Sequence, residues 1–122
     1  MSTAPAGEDI AARIVYDDRG LAPCVVQDWN TGEVLPALER TLRERDEQRP
    51  QGSYTVTLLD DPTLAGAKVM EEAEEVTRAA REESDERVDE EAADLIYHLL
   101  VLMRGRGRSL ADAGRVLDER RR

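Results

Sequence analysis

Glu71-Glu72-Ala73-Glu74-Glu75, followed by Glu91-Ala92-Ala93-Asp94-Leu95-Ile96-Tyr97-His98-Leu99-Leu100-Val101-Leu102-Met103, is the stretch that decides how this chain folds. Glu72 and Asp94 lie equally far from Glu83, and so do Glu75 and Glu91. A reversal near Glu83-Ser84-Asp85 therefore predicts an antiparallel helical hairpin with Glu72 opposite Asp94 and Glu75 opposite Glu91. Within each helix the i,i+3 spacing sets both side chains on nearly one face, about a turn apart. Four carboxylates then converge on a small volume. At ~5 Å and an effective dielectric of ~20, each like-charge pair costs roughly 3 kcal/mol, so the cluster calls for a cation. An all-oxygen ligand set suits a hard ion, magnesium first, with manganese as a substitute.

The second half of the stretch is apolar almost all the way round a helix, the pattern of a central, buried element. Asp94 inside it is expensive unless paired or bound to metal. Acidic clusters on helices are more often simply solvated faces. That plainer reading applies to Glu74, Glu82, Glu83, Asp85, Glu86, Asp89 and Glu90; for Glu72, Glu75, Glu91 and Asp94 the metal reading is favoured.

Working outward, residues 1–13 read as a disordered start rich in Ala, Gly, Ser and Pro. Ile14 to Tyr16 and Ala22 to Asp28 have strand character, and Asn30-Thr31-Gly32 separates the latter from Glu33-Val34-Leu35. Residues 14–35 are thus expected to form a small β-hairpin. Residues 36–122 form a helical domain. Leu35, Leu38 and Leu42 mark a helix with Pro36 in its first turn, ending before Pro50. Gln51-Gly52-Ser53-Tyr54-Thr55 reads as a polar loop. Asp60-Asp61-Pro62-Thr63 starts a long helix to about Glu83, with Val69, Ala73, Val76 and Ala80 as its apolar stripe. The next helix covers about Glu86 to Arg104 and ends at Gly105-Arg106-Gly107, and Ser109-x-x-Asp112 caps a last helix to about Arg120. The fold class is mainly α.

With 122 residues and no Phe, the core is modest and built from Leu, Val, Ile and Ala. A net charge of −10 argues against nucleic acid or an anionic membrane as partner. It leaves an anionic small molecule open, because a divalent ion reverses the local sign. Cys24, the single cysteine, excludes an intramolecular disulfide framework. No signal-peptide pattern and no membrane-spanning run is visible, so the chain reads as cytoplasmic.

The runs Gly52-Ser53-Tyr54-Thr55, Lys68-Val69-Met70-Glu71-Glu72-Ala73-Glu74-Glu75-Val76 and Glu91 to Leu102 resemble phosphoribosyl-ATP pyrophosphohydrolase over roughly Leu35 to Arg121. The EExxE…ExxD core alone indicates the wider MazG-like nucleotide pyrophosphohydrolases, and the SYT loop and YHLLVL run narrow it. The resemblance implies a dimeric, all-α, MazG-like bundle of four-helix type, in which magnesium supports release of pyrophosphate from phosphoribosyl-ATP in histidine biosynthesis. Residues 14–35 are similar to the opening hairpin of phosphoribosyl-AMP cyclohydrolase. That enzyme's cysteine and aspartate metal motifs are missing, which suggests a truncated remnant. Met70 stands where many members have Gly, and Ala67 where a second Lys is common.

Under this likeness Glu72, Glu75, Glu91 and Asp94 bind the metal. Glu71 and Glu72 are the catalytic candidates, Glu71 as a water-activating base or a support for its neighbour. Ser53, Tyr54, Thr55, Lys68 and His98 are candidate substrate contacts. Each has a plainer alternative: hydroxyls that cap and form turns, an i,i+4 ion pair of Lys68 with Glu72, and a core histidine. The partner expected is a small nucleotide, together with a second copy of the chain as a homodimer. Two other functions stay open, a MazG-like house-cleaning nucleoside triphosphate pyrophosphohydrolase and a non-catalytic helical scaffold.

Overall fold

The computed structural model describes residues 33–121, and among them it holds five helices and no strand. The expected disordered start and most of the β-hairpin, with Cys24, lie outside the described residues. The chain divides into two compact units, Met1–Val56 and Thr57–Arg122.

In the first unit, α1 spans Val34–Gln48 and buries Ala37, Leu38, Thr41 and Leu42, a single face at i, i+1, i+4, i+5 spacing. Val34 and Leu35 therefore open a helix rather than close a hairpin. Pro36 explains the shift, since its missing N–H falls where a helix has no acceptor to offer. Ala37 N–H already donates to the Glu33 carbonyl at 2.9 Å. Arg49 ends α1 in the left-handed conformation at φ 49°, its N–H bonded to the Arg45 carbonyl and its guanidinium to Asp46 at 2.8 Å.

A short helix α2 spans Tyr54–Leu59. Tyr54 and Thr55, expected in a loop, are helical. Gly52 turns the chain at φ +80°, and the Ser53 hydroxyl then accepts a hydrogen bond from Val56 N–H at 3.3 Å. That geometry satisfies an N–H with no partner inside the helix and so lets the helix begin early.

In the second unit α3 (Pro62–Glu82) and α4 (Asp85–Gly105) pack against each other. Asp61 caps α3 by accepting from Leu64 N–H at 3.1 Å, with Pro62 in the first turn. Glu83 then leaves the helix in extended conformation, and the Ser84 hydroxyl caps α4 by accepting from Arg87 N–H at 3.2 Å. Two residues between helices leave only an antiparallel hairpin. The buried line of α3 is Ala65, Glu72, Ala79, whereas Ala80 is exposed and Val69, Ala73 and Val76 are half-buried. The stripe is thus rotated from the expected one, because the seven-residue spacing through Ala79 follows a helix-packing seam.

Helix α4 buries Glu91, Tyr97, His98, Leu100 and Val101 but leaves Ile96 38% and Leu99 41% exposed. It is covered on one side only, not all round as its composition suggested. Gly107, at φ +77°, stops it: Arg108 N–H reaches the Met103 carbonyl at 2.9 Å and Gly107 N–H the Arg104 carbonyl at 2.8 Å. Helix α5, Leu110–Arg120, begins where the Asp112 carboxylate accepts from Ser109 N–H at 2.8 Å. No helix among the described residues is long and apolar enough to cross a membrane.

Candidate metal centre

Three carboxylates meet where the hairpin helices face each other. One oxygen each from Glu72, Glu91 and Asp94 lie within 4.8 Å of one another, with Glu72 and Glu91 buried and Asp94 half-buried. Glu72 comes from the seam of α3, between Ala65 and Ala79 in the buried line, where small neighbours leave room for a long acid. Glu91 and Asp94 come from successive turns of α4. Glu75 stands beside Glu91, and each perturbs the other's titration. It is not among the three that converge. Glu75 borders the triad through hydrogen bonds with Glu91 and Glu72.

The electrostatics are those of crowded acids. Burial, then a hydrogen bond with Glu91 and repulsion from Asp94, Glu75 and Glu91, pushes the Glu72 carboxyl up to about 7. Glu75 is also raised, chiefly by its hydrogen bond with Glu91. Burial pushes Glu91 upward, but hydrogen bonds from Glu75 and Glu72 and the neighbouring Arg87 outweigh it, and Glu91 ends below the usual carboxylate range. Oε1 of Glu72 and Oε1 of Glu91 are buried and have no donor among the described residues. As ionised groups both are acceptors only, so a proton on one of them or a nearby cation would relieve the crowding. The cost of leaving such oxygens without either is large. The donor set is all oxygen, which fits a hard divalent cation.

Arg87, one turn ahead of Glu91, was not singled out by sequence reading. Its guanidinium bonds Glu83 at 3.4 Å, Glu90 at 2.6 Å and Oε2 of Glu91. The signal was an i,i+4 Arg–Glu pair, hidden among many such pairs in an acid-rich chain.

The remaining candidates fall outside the triad. Glu71 is half exposed and pairs with Lys68 at 3.3 Å. Lys68 thus meets Glu71 at i+3, where Glu72 at i+4 was expected, because Glu72 turns into the seam. His98 is buried, its Nδ1–H donating to the Asp94 carbonyl at 2.8 Å and its ring edge-on to Tyr97 at 5.0 Å. It braces the turn that carries Asp94. Ser53 and Tyr54 are half-buried at the start of α2, and Thr55 is fully buried there.

The sequence model of the family described as phosphoribosyl-ATP pyrophosphohydrolase matches residues 35–121. A phosphoribosyl-ATP pyrophosphatase of Pyrobaculum neutrophilum is 50% identical over 91 residues, covering 74% of this chain and 97% of the relative. That of Pyrobaculum arsenaticum is 48% identical over 92 residues, with the same shares covered. The histidine biosynthesis bifunctional protein HisIE of Xylella fastidiosa strain Temecula1 is 46% identical over 92 residues, 75% of this chain. Against that bifunctional relative the match spans 45% of its length.

Proposed function

Since the chain belongs to the phosphoribosyl-ATP pyrophosphohydrolase family, we propose that it is a hydrolase that converts phosphoribosyl-ATP and water to phosphoribosyl-AMP and pyrophosphate. This is the second step of histidine biosynthesis. The bond broken is the one between the α and β phosphates. The observation that carries the reading is the triad of Glu72, Glu91 and Asp94, whose buried Oε1 atoms on Glu72 and Glu91 lack donors within the matched segment. Glu72, Glu91 and Asp94 would hold Mg²⁺, with Glu75 adjoining and Mn²⁺ an acceptable substitute. When bound, that ion neutralises triphosphate charge and renders a water nucleophilic.

The chain's own residues divide the remaining work. Glu72 and Glu91 present oxygens from two rigid helices, which fixes the site more firmly than loops would. Glu71, exposed and beside Glu72, is the proposed base that orients or deprotonates water. Lys68, the single lysine of the chain, holds Glu71 and supplies positive charge for a substrate phosphate. Ser53 and Tyr54, half-buried, are further proposed substrate contacts, whereas Thr55 at 0% and His98 at 1% exposure would act from behind the surface as supporting residues.

The protein is further proposed to be a homodimer: Met70 at 73% exposure and Leu99 at 41% are apolar side chains that a second copy would cover. The proposed site of action is the cytoplasm, and residues 14–35, apart from Val34 and Leu35 that open α1, are proposed to be a non-catalytic cyclohydrolase-like remnant.

The test is pyrophosphate release from phosphoribosyl-ATP with and without magnesium, alongside ATP and dTTP. Magnesium-dependent release from phosphoribosyl-ATP alone is the expected result. Release from the plain triphosphates would replace this reading with a house-cleaning activity, and no release from folded protein would leave a scaffold.

A further inference from the structure

The two oxygens of Glu91 face different surroundings. Oε2 takes a guanidinium hydrogen of Arg87, while Oε1 is buried without a donor. Arg87 is itself held in place, its Nε on Glu83 at 3.4 Å and its Nη1 on Glu90 at 2.6 Å. Its side chain is 49% exposed, whereas that of Glu91 is 7% exposed, so the contact runs from the protein surface into the seam. A glutamate has three side-chain torsions, and nothing in its own covalent structure decides which oxygen turns inward.

We propose that Arg87 is a positioning residue for the cation site: by holding Oε2 it fixes the rotation of the Glu91 carboxylate that meets Glu72 and Asp94. The inference rests on reading the triad as a cation site. It concerns geometry rather than charge, since a positive group near a cation site by itself repels the cation. A plain helix staple of i,i+4 type would stiffen α4 and leave metal affinity alone.

The experiment is calorimetric titration of Mg²⁺ into the full metal-free chain, for wild type, Arg87→Gln, Arg87→Lys and Glu90→Gln. Melting curves in EDTA accompany each titration. Arg87→Gln is expected to weaken Mg²⁺ binding about tenfold, the lower end of what losing the partner of a metal ligand costs. Arg87→Lys, which keeps the charge but not the fork, recovers part of the affinity, and Glu90→Gln binds as wild type does. Wild-type or tighter binding by Arg87→Gln overturns the inference, as does an equal loss in Glu90→Gln. A wild-type protein that binds no Mg²⁺ would sink the cation reading and this inference with it. Loss confined to Arg87→Gln keeps the two questions separate.

Discussion

Replacing Glu72 with Gln should stabilise the metal-free protein at pH 8 and leave it almost unchanged at pH 5. Glu72 titrates near 7 in the fold, against an ordinary value of 4.5. Below 4.5 it is protonated in both the folded and unfolded chain, so it contributes no difference. Between 4.5 and 7 the unfolded chain releases the proton and the folded one retains it, so stability falls as pH rises. Above 7 the full penalty is present. At 1.36 kcal/mol per pH unit the raised value sets an upper bound of roughly 3 kcal/mol. Some of that is the hydrogen bond to Glu91, which the Gln amide also donates, so roughly 1–2 kcal/mol should be recovered by the substitution. For a domain of this size that is a rise in Tm of roughly 4–10 °C. The assay is thermal unfolding by circular dichroism in EDTA at pH 5 and pH 8, repeated with saturating Mg²⁺. The order should reverse with Mg²⁺, because wild type gains a ligand and the variant has lost one. Equal melting at pH 8 in EDTA, or the same gap at both pH values, would refute the argument that crowded buried acids are what the cation relieves.

Mg²⁺ binding at pH 7 should release about half a proton from Glu72, and close to none at pH 8.5, as read by calorimetry in buffers of different ionisation enthalpy. Asp94→Asn should lower pyrophosphate release by roughly two orders of magnitude or more with an unchanged circular dichroism spectrum, since a carboxylate proposed to hold the charge-neutralising cation is lost; near-normal turnover would remove Asp94 from the site. Ser84→Ala removes the hydroxyl that caps α4 and should cost ~1 kcal/mol of stability, measured by urea unfolding, while Mg²⁺ affinity stays at the wild-type level.

Much of the second unit was legible because its signals reinforce one another. The symmetry of Glu72 with Asp94 about Glu83 needs only helix geometry and a tight turn, and the Ser84 and Asp61 caps supply the turn chemistry. The capping pattern at Ser109 and Asp112 read correctly for the same reason. What misled were residues whose local preference is weak. Gly-Ser-Tyr-Thr looks like a loop by composition, yet one hydroxyl at Ser53 is enough to start a helix. Ala79 and Ala80 are indistinguishable as apolar neighbours, and only the packing of α3 on α4 chooses Ala79. An apolar helix such as α4 does not by itself disclose which flank meets a neighbour, so Ile96 and Leu99 were expected inside. Arg87 escaped notice because charged residues make up 36% of the chain and most of their pairings matter little.

The placement of Glu72 ties the candidate chemistry to the fold itself. In the seam of α3 the positions before and after it are Ala65 at 1% exposure and Ala79 at 0%, so the acid occupies what would otherwise be an apolar packing position. An apolar residue there would favour the hairpin in every condition. A buried acid favours it more when a proton or a cation is present, so under the proposed cation reading assembly of the seam and occupation of the site would be one equilibrium. Arg87 offsets part of the charge from the outside, on the one oxygen of Glu91 it reaches. The inward oxygens keep their demand for a counter-charge, and that unmet demand is what a divalent ion would satisfy. A hairpin selected for stability alone gains nothing from Glu72 and Glu91 in its seam, and the proposed cation site would account for their presence there.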